Sequence, residues 1–268
     1  MSYQRILLEK ANSVTTLTLN RPEKHNALDV VFLQEFGQCM DELDGDEDTR
    51  AIIITGAGRS FCSGIDIASL AQAAEEPTSM GKGRMSFSQP FGLLQVVPSG
   101  LRSCHKPTIA AINGFTSGVG MALICLCDYR IASEQAAFAP GFVNLGLAGE
   151  LGLTYLLPRI TAMPVALEFM STGETRDARW AEQCGLVREV VSPEGLMEAA
   201  QGLATKLVKM PPIALETLKQ LVYQGLEANF DFQLQSEARA ASLLLQTEDF
   251  QEAIRSFFEK RPPVFKGR

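Results

Sequence analysis

Hydrophobic and polar positions alternate at the start of the chain and then change period. The stretch "VTTLTLN" alternates as a half-buried strand does, and a second β-like run, "ILLEK", precedes it across a short turn. "ALDVVFLQEFGQCMDEL" carries apolar positions at helical spacing, and "RAIIITG" is a β-branched run typical of a strand buried on both faces. This order of strand, strand, helix and strand predicts an α/β core.

The middle of the chain continues this pattern. "KPTIAAING", "YRIASEQAAFA" and "GLVREVV" predict further extended segments, and "VGMALICLC" predicts a buried helix too short to cross a bilayer. "ELGLTYLLPRI" predicts a helix that is interrupted near Pro158. Between these elements, Gln72 to Gly100 is weakly patterned and rich in proline, which predicts a variable, partly mobile insertion.

After Pro193 the strands stop and amphipathic helices follow, several with proline at the start. The sequence therefore predicts a core over residues 1–192 and a helical region over residues 193–268.

Composition narrows the class of protein. The 268 residues carry a net charge of −7 with no basic run, which disfavours nucleic acid as a partner. The first ten residues lack the apolar stretch of a secretory signal, and no segment is long enough to span a membrane. Six cysteines without zinc-type doublets, and only His25 and His105, disfavour a metal site. We expect a cytoplasmic protein with reduced thiols.

Two glycine-rich loops share one design. In "GRSFCSGIDIASL" the chain leaves the strand "AIIITG", and in "AAINGFTSGVGMAL" it leaves the strand "TIAAI"; each loop turns through glycines into a helix. Glycine permits unusual dihedral angles, and a helix start presents unpaired N–H groups. Side by side, two such loops can aim two N–H groups at one oxygen as an oxyanion hole. The alternative is a pair of tight turns without a ligand.

The apolar stretch "NLGLAGELGL" contains one charge, Glu150. A lone carboxylate there is either an acid near a helix start in contact with water or a group held for chemistry.

Several motifs together resemble the enoyl-CoA hydratase/isomerase (crotonase) superfamily over nearly the whole chain. They are "LNRPEKHNALD", "AIIITGAGRSFCSGIDIASL", "KPTIAAINGFTSGVGMALICLCDYRIAS", "LGLAGELGLTYLLPR", "TGETRDARWAEQCGLVREVV" and "FFEKRPPVFKG". The resemblance implies an α/β spiral of ββα units with a C-terminal helical trimerisation region. It also implies a homotrimer or dimer of trimers that acts on acyl-CoA thioesters, with coenzyme A as part of the substrate and no separate cofactor.

The resemblance assigns roles to particular residues. The N–H groups of Ile65 and Val119 would form the oxyanion hole. Binding of coenzyme A or substrate would involve Arg21 and Lys24 beside the phosphates, Ser63, Gly64 and Ile67 near the adenine, Gly118, and Phe257 and Lys260 from the C-terminal end, often toward a neighbour's coenzyme A. Phe142, with Met80, Met85, Phe87 and Phe91, would shape the acyl pocket. Solvated charges and ordinary packing are the alternatives.

The acids decide the expected reaction. The two positions where the family's hydratases hold glutamates are Ala122 and Phe142 here, whereas Glu150 stands where enoyl-CoA isomerases place an acid. The resemblance therefore favours a double-bond shift through one carboxylate. A hydratase or lyase with a non-standard base, and a catalytically silent CoA-binding paralogue, remain alternatives. We expect Asn144 to bond to backbone and Asp66 to cap a helix start.

Overall fold

A computed structural model describes residues 3–68 and 95–268 of the chain. The strands of this part form two sheets, a larger one of order β1-β2-β3-β5-β7-β10 and a smaller one of order β4-β6-β8-β9. Their bounds are β1 (Ile6–Ala11), β2 (Val14–Leu19), β3 (Ala51–Gly56), β4 (Ser60–Cys62), β5 (Thr108–Ile112), β6 (Phe115–Ser117), β7 (Tyr129–Ser133), β8 (Ala137–Ala139), β9 (Arg176–Asp177) and β10 (Glu189–Val191).

Helices surround and follow the sheets. In the described residues they are α1 (Val30–Gly45), α2 (Val96–Ser103), α3 (Val119–Leu126), α4 (Leu153–Ile160), α5 (Met163–Thr172), α6 (Ala178–Gln183), α7 (Leu196–Leu207), α8 (Pro212–Gly225), α9 (Phe230–Leu244) and α10 (Glu248–Glu259). Short 3₁₀ helices cover Pro22–Lys24 and Val143–Leu145. The predicted α/β class with a helical C-terminal end is confirmed.

The larger sheet begins with a hairpin and continues with parallel strands. Asn12 and Ser13 form a two-residue turn between β1 and β2, and both have positive φ, 52° and 61°. Such turns match the twist of the strands that they join. From β2 onward, the neighbouring pairs β2–β3, β3–β5, β5–β7 and β7–β10 are all parallel. Asp29 caps the first crossover helix, α1, by accepting a hydrogen bond from the Phe32 N–H at 2.8 Å.

From β3 to β8, consecutive strands alternate between the two sheets, and this alternation produces the spiral. β3, β5 and β7 belong to the larger sheet, whereas β4, β6 and β8, which follow them directly, are parallel neighbours in the smaller sheet. The carboxyl ends of β4, β6 and β8 therefore lie at one edge. Both glycine-rich loops leave the smaller sheet there.

The helical end of the chain is not uniform. Leu196, Ala200 and Ala204 of α7 are buried in one apolar cluster with Val14 and Ile53 of the larger sheet. By contrast, α8 and α9 bury no residue fully. The predicted boundary between a core over residues 1–192 and a helical region over residues 193–268 stays a prediction. α7, which follows this boundary, packs directly on the larger sheet.

Two expectations need correction. α4 begins at Leu153 and runs through Pro158 to Ile160, so proline does not interrupt it. Proline removes only one backbone donor, and the helix ends two residues later.

The predicted insertion ends early because its last residues start α2, whose Val97 is buried. Residues 72–94, including Met80, Met85, Phe87 and Phe91, lie outside the described residues, and so does the predicted helix beyond Ala68.

Sequence reasoning also missed α5, which buries Ala166 and Phe169 and has a proline at its second position.

Among the described residues, no helix combines the length and apolar character needed to cross a membrane.

Candidate active site

The first glycine-rich loop directs the Ile65 N–H away from its neighbouring strand. Leu28 forms a parallel bridge to this loop: its N–H donates to the Gly64 carbonyl at 2.8 Å, and its carbonyl accepts from the Asp66 N–H at 2.9 Å. In a trans peptide the carbonyl of one residue and the N–H of the next point in opposite directions. Because the Gly64 carbonyl faces Leu28, the Ile65 N–H faces the other way.

The second loop presents the Val119 N–H. Gly118 has φ 53° and ψ −118°, and Val119 is the first residue of α3. The N–H groups of a helix's first turn have no partner within the helix. Within residues 3–68 and 95–268, neither the Val119 N–H nor the Ile65 N–H donates to an acceptor.

The two loops approach so closely that glycine is required. A Cβ added to Gly64 would lie 3.0 Å from the Ser117 carbonyl oxygen and 3.5 Å from the Val119 nitrogen. A Cβ on Gly141, two residues after the end of β8, would lie 2.9 Å from the Gly118 nitrogen. The chain thus converges from three strand ends on the two candidate donors, and their role as an oxyanion hole stays a prediction.

The surroundings of these donors are apolar. All eight residues of α3 are buried, Ala122 has no exposed surface, and Phe142 is only 6% exposed. The two positions where the family's hydratases carry acids therefore hold buried, uncharged side chains. An electrostatic contact is stronger in such surroundings than in water.

Glu150 lies in a short turn before α4. Leu151 and Gly152, which follow it, both have positive φ, 53° and 82°. The Glu150 carbonyl accepts a hydrogen bond from the Leu153 N–H at 3.0 Å, but its carboxylate has no hydrogen-bond or ion-pair partner in the part of the chain that the structure describes. Its side chain therefore does not cap α4.

Partial burial raises the pKa of the Glu150 carboxyl above its ordinary value. Desolvation by the protein is the cause, because it disfavours the charged form.

Packing connects Glu150 to the second loop. α4 packs against α3, and Leu151 belongs to the same buried cluster as Val119, Ala122 and Phe142. The turn that carries Glu150 is thus joined through α4 to α3, whose first residue carries the Val119 N–H.

Phe142 also borders an apolar cavity of about 430 Å³. Across this cavity lie Met163, Leu167 and Met170 of α5. The role of Phe142 in an acyl pocket remains a prediction.

Two supporting side chains behave as expected. The Asn144 amide donates to the Gly173 carbonyl at 3.2 Å, and the Asp66 carboxylate accepts from the Ala68 N–H at 2.9 Å. Sequence reasoning missed a second partner: Arg21 donates to Asp66 at 2.7 Å.

Sequence reasoning also missed Asn26. It is buried, has its backbone in the left-handed region at φ 55°, and bonds through its side chain to the main chain of Arg21, Ala57 and Ser60. Asparagine tolerates this conformation better than most residues, so the Asn in "EKHNALD" was the available signal.

The predicted coenzyme A residues divide into two groups. Ser63 adjoins Lys24 through a hydrogen bond from its hydroxyl to the Lys24 carbonyl at 3.4 Å. Lys24 and Ile67 are both exposed near the first loop. Phe257, 78% exposed, and Lys260 lie at the end of α10, and the hydrogen bonds and ion pairs of the described residues do not join them to this loop.

A model of the enoyl-CoA hydratase/isomerase family matches residues 9–268 of the chain. The chain belongs to this family. It is 36% identical to a short-chain-enoyl-CoA hydratase of Clostridium acetobutylicum, over all of both chains, and 33% identical to a crotonyl-CoA hydratase of Syntrophomonas wolfei, over 99% of both. Its fold is similar to that of an enoyl-CoA hydratase from Bacillus anthracis, with a TM-score of 0.89, 31% identity and coverage of 99% of this chain and all of the other.

These comparisons show an enoyl-CoA hydratase/isomerase family enzyme. All three relatives carry the name hydratase, so the predicted closer likeness to single-acid isomerases is not confirmed.

Proposed function

We propose that this member of the enoyl-CoA hydratase/isomerase family shifts the double bond of an enoyl-CoA thioester. Glu150 carries the proton, and the N–H groups of Ile65 and Val119 bind the thioester oxygen. One observation carries the proposal: Glu150 is a partly buried carboxylate without a partner among the described residues, whereas the positions of the hydratase acids are the buried Ala122 and Phe142.

The first step removes a proton from Cα of a 3-enoyl thioester. The Glu150 carboxylate takes this proton, the C–H electron pair forms a double bond between Cα and the thioester carbon, and the carbonyl electrons move to the oxygen. The Ile65 and Val119 N–H groups then bind a full negative charge. Losing one such donor typically costs about 3 kcal/mol of transition-state stabilisation.

The second step returns the same proton to Cγ. The Cβ–Cγ double-bond electrons form the new C–H bond, the Cα electrons move into a Cα–Cβ double bond, and the carbonyl forms again. Glu150 ends ionised, as it began. A carboxyl whose pKa is raised by desolvation suits this double role, because it accepts and releases a proton with less difference in energy.

Hydration is the second candidate, and the names of the relatives favour it. Water would then add across the double bond of a 2-enoyl thioester, with its hydroxyl oxygen on Cβ and a proton on Cα. In this chain Glu150 would have to activate that water without the carboxylates that the family's hydratases hold at the positions of Ala122 and Phe142.

Two substrates of equal chain length separate the candidates. Purified protein is incubated with 3-hexenoyl-CoA and, separately, with 2-hexenoyl-CoA. Isomerisation raises the absorbance of the conjugated enoyl thioester in the first mixture, whereas hydration removes it in the second and adds the mass of one water. Rapid hydration with no isomerisation would overturn the proposal. Binding of both thioesters without turnover would instead indicate a silent CoA-binding paralogue.

The assembly is part of the proposal. It is a homotrimer or dimer of trimers in the cytoplasm, with no cofactor beyond the coenzyme A of the substrate. The oligomer is supported by the large apolar side chains that α8 to α10 expose. They include Leu218, Val222, Phe230, Phe232, Leu243, Phe257 and Phe258.

A further inference from the structure

We infer that Arg21 is a positioning residue of the oxyanion hole and not a ligand of the coenzyme A phosphates. Through Asp66 it holds the backbone that aims the Ile65 N–H. This inference rests on the proposed function in one respect, that the Ile65 N–H binds the thioester oxygen.

The Arg21 guanidinium already has protein partners. Its Nη1 donates to Asp66 Oδ2 at 2.7 Å and to the Ala27 carbonyl at 3.3 Å, and it lies 3.6 Å from Asp29 Oδ2. The side chains of Arg21 and Asp66 are each only 16% exposed. A guanidinium that is bonded to the Asp66 carboxylate and largely shielded from solvent is poorly placed to meet an external phosphate.

The partner of Arg21 directly follows the proposed donor. The Asp66 N–H donates to the Leu28 carbonyl at 2.9 Å, and the Leu28 N–H donates to the Gly64 carbonyl at 2.8 Å. These two bonds set the plane of the peptide that contains the Ile65 N–H. The Arg21–Asp66 ion pair holds the same loop through the side chain of Asp66, the residue that follows Ile65.

Arg21 itself is anchored at its main chain. Its N–H donates to Asn26 Oδ1 at 2.9 Å, and its carbonyl accepts from the Asn26 N–H at 2.9 Å. The backbone that carries the Arg21 side chain is therefore held in place by these two hydrogen bonds. Lys24, three residues later, is exposed and forms no ion pair with any described residue, so it is the cation of this loop that can meet a phosphate.

A positioning role and a binding role predict different measurements. Oxyanion-hole donors act at about 2.7–3.1 Å, and a misplacement of about 1 Å can cost on the order of a hundredfold in rate. Loss of positioning lowers kcat and leaves ligand affinity nearly unchanged, whereas loss of a phosphate contact weakens binding of substrate and transition state alike.

The test uses cinnamoyl-CoA, a conjugated thioester whose absorption band moves to longer wavelength when its carbonyl oxygen is polarised. Titration of the full-length protein gives the dissociation constant and the band shift together. Arg21→Gln should lose most of the shift, with the dissociation constant changed by less than about threefold, and should lower kcat on the best substrate by at least about tenfold. Asp66→Asn should behave alike, and the double variant should lose less than the sum of the two single losses, because both single variants remove the same contact.

Two further variants keep the result interpretable. Arg188→Gln is the matched control, because Arg188 makes an exposed ion pair with Glu189 at 3.3 Å; it should change neither quantity. Arg21→Lys retains a charge that can reach one oxygen of Asp66, so it should restore part of the shift even if Arg21→Gln folds poorly.

The outcomes separate this inference from the proposed reaction. If Arg21→Gln weakens binding tenfold and leaves the band shift intact, Arg21 is a ligand of coenzyme A and the inference is wrong. A wild-type complex without any band shift overturns it as well. If the wild type shifts the band but hydrates its substrate, the isomerase proposal fails while the positioning role is still decided by the variants.

Discussion

Gly64 faces the nitrogen of Val119 across the junction of the two glycine-rich loops. Gly64 has φ +100°, and a Cβ there would lie 3.5 Å from the Val119 nitrogen and 3.0 Å from the Ser117 carbonyl oxygen. Gly64 directly precedes Ile65, the first candidate donor, and lies beside Val119, the second candidate donor. The two loops that carry the N–H groups are therefore in close contact.

Gly64→Ala should consequently impair catalysis. The new methyl group is strained at this φ and presses on the backbone that carries the second donor. We expect kcat/KM on the preferred enoyl-CoA to fall by about 10²- to 10³-fold, the cost of losing one oxyanion-hole donor. Gly146→Ala is the matched control, because Gly146 has φ +71° but nothing within 4 Å of an added Cβ. Equal losses in both variants would show that backbone strain alone, and not the contact with Val119, is responsible.

Asn26 should contribute more to stability than its single side chain suggests. Its Oδ1 accepts from the Arg21 N–H at 2.9 Å, and its Nδ2 donates to the carbonyls of Ala57 at 2.9 Å and Ser60 at 2.7 Å. Asn26→Ala leaves the Arg21 N–H and the Ala57 carbonyl without these partners at a position with positive φ, whereas the Ser60 carbonyl keeps the Asn113 amide at 3.2 Å. We expect a loss of about 2–4 kcal/mol in the free energy of unfolding, measured by urea denaturation.

The control for this measurement is Asn144→Ala. Asn144 is exposed and its amide makes one hydrogen bond of 3.2 Å, so its loss should cost less than about 1 kcal/mol. Similar losses in the two variants would contradict the role assigned to Asn26.

The fold was predictable because local patterns agree with it. The β-branched run of β3 and the buried helix α3 follow directly from their sequences, and the glycines of both loops mark the turns that the structure contains. The role of Arg21 was not predictable, because it depends on Asp66, a partner 45 positions away. A charged residue in a polar loop has the same local pattern whether it meets solvent, a ligand or a buried carboxylate.

The direction in which the pKa of Glu150 is shifted could not be predicted from the sequence either. Aliphatic neighbours predict a raised pKa and a helix start predicts a lowered one, and the sequence alone does not decide between them. The structure decides it: α4 begins only at Leu153, and burial raises the pKa of the Glu150 carboxyl.

The pH dependence of activity should report this raised pKa. Glu150 must be ionised to accept the Cα proton, so kcat/KM should rise with pH through its pKa. The acid limb should therefore lie above the range of an ordinary glutamate, about 4.3, and Glu150→Gln should abolish it together with activity. An acid limb that persists in active Glu150→Gln protein would assign the titration to another group.

The free energy of unfolding should depend on pH in the opposite direction to activity, because the contribution of Glu150 falls as pH rises. A carboxyl whose pKa is raised on folding binds its proton more tightly in the folded protein, so its contribution is fully present below the unfolded pKa and is lost as pH rises through the folded pKa. Glu150→Gln, which cannot ionise, should therefore gain in Tm relative to the wild type between acidic and neutral pH. Identical pH dependence of Tm in the two proteins would contradict the desolvation of Glu150.

The most direct test of the account follows the proton itself. The substrate is 3-hexenoyl-CoA with deuterium at Cα, and the position of the label in the product is read by mass spectrometry and NMR. If Glu150 carries the proton, part of the deuterium reappears at Cγ of 2-hexenoyl-CoA, and Glu150→Gln loses both product and transfer. Formation of 3-hydroxyhexanoyl-CoA without label at Cγ, or full turnover by Glu150→Gln, would contradict it.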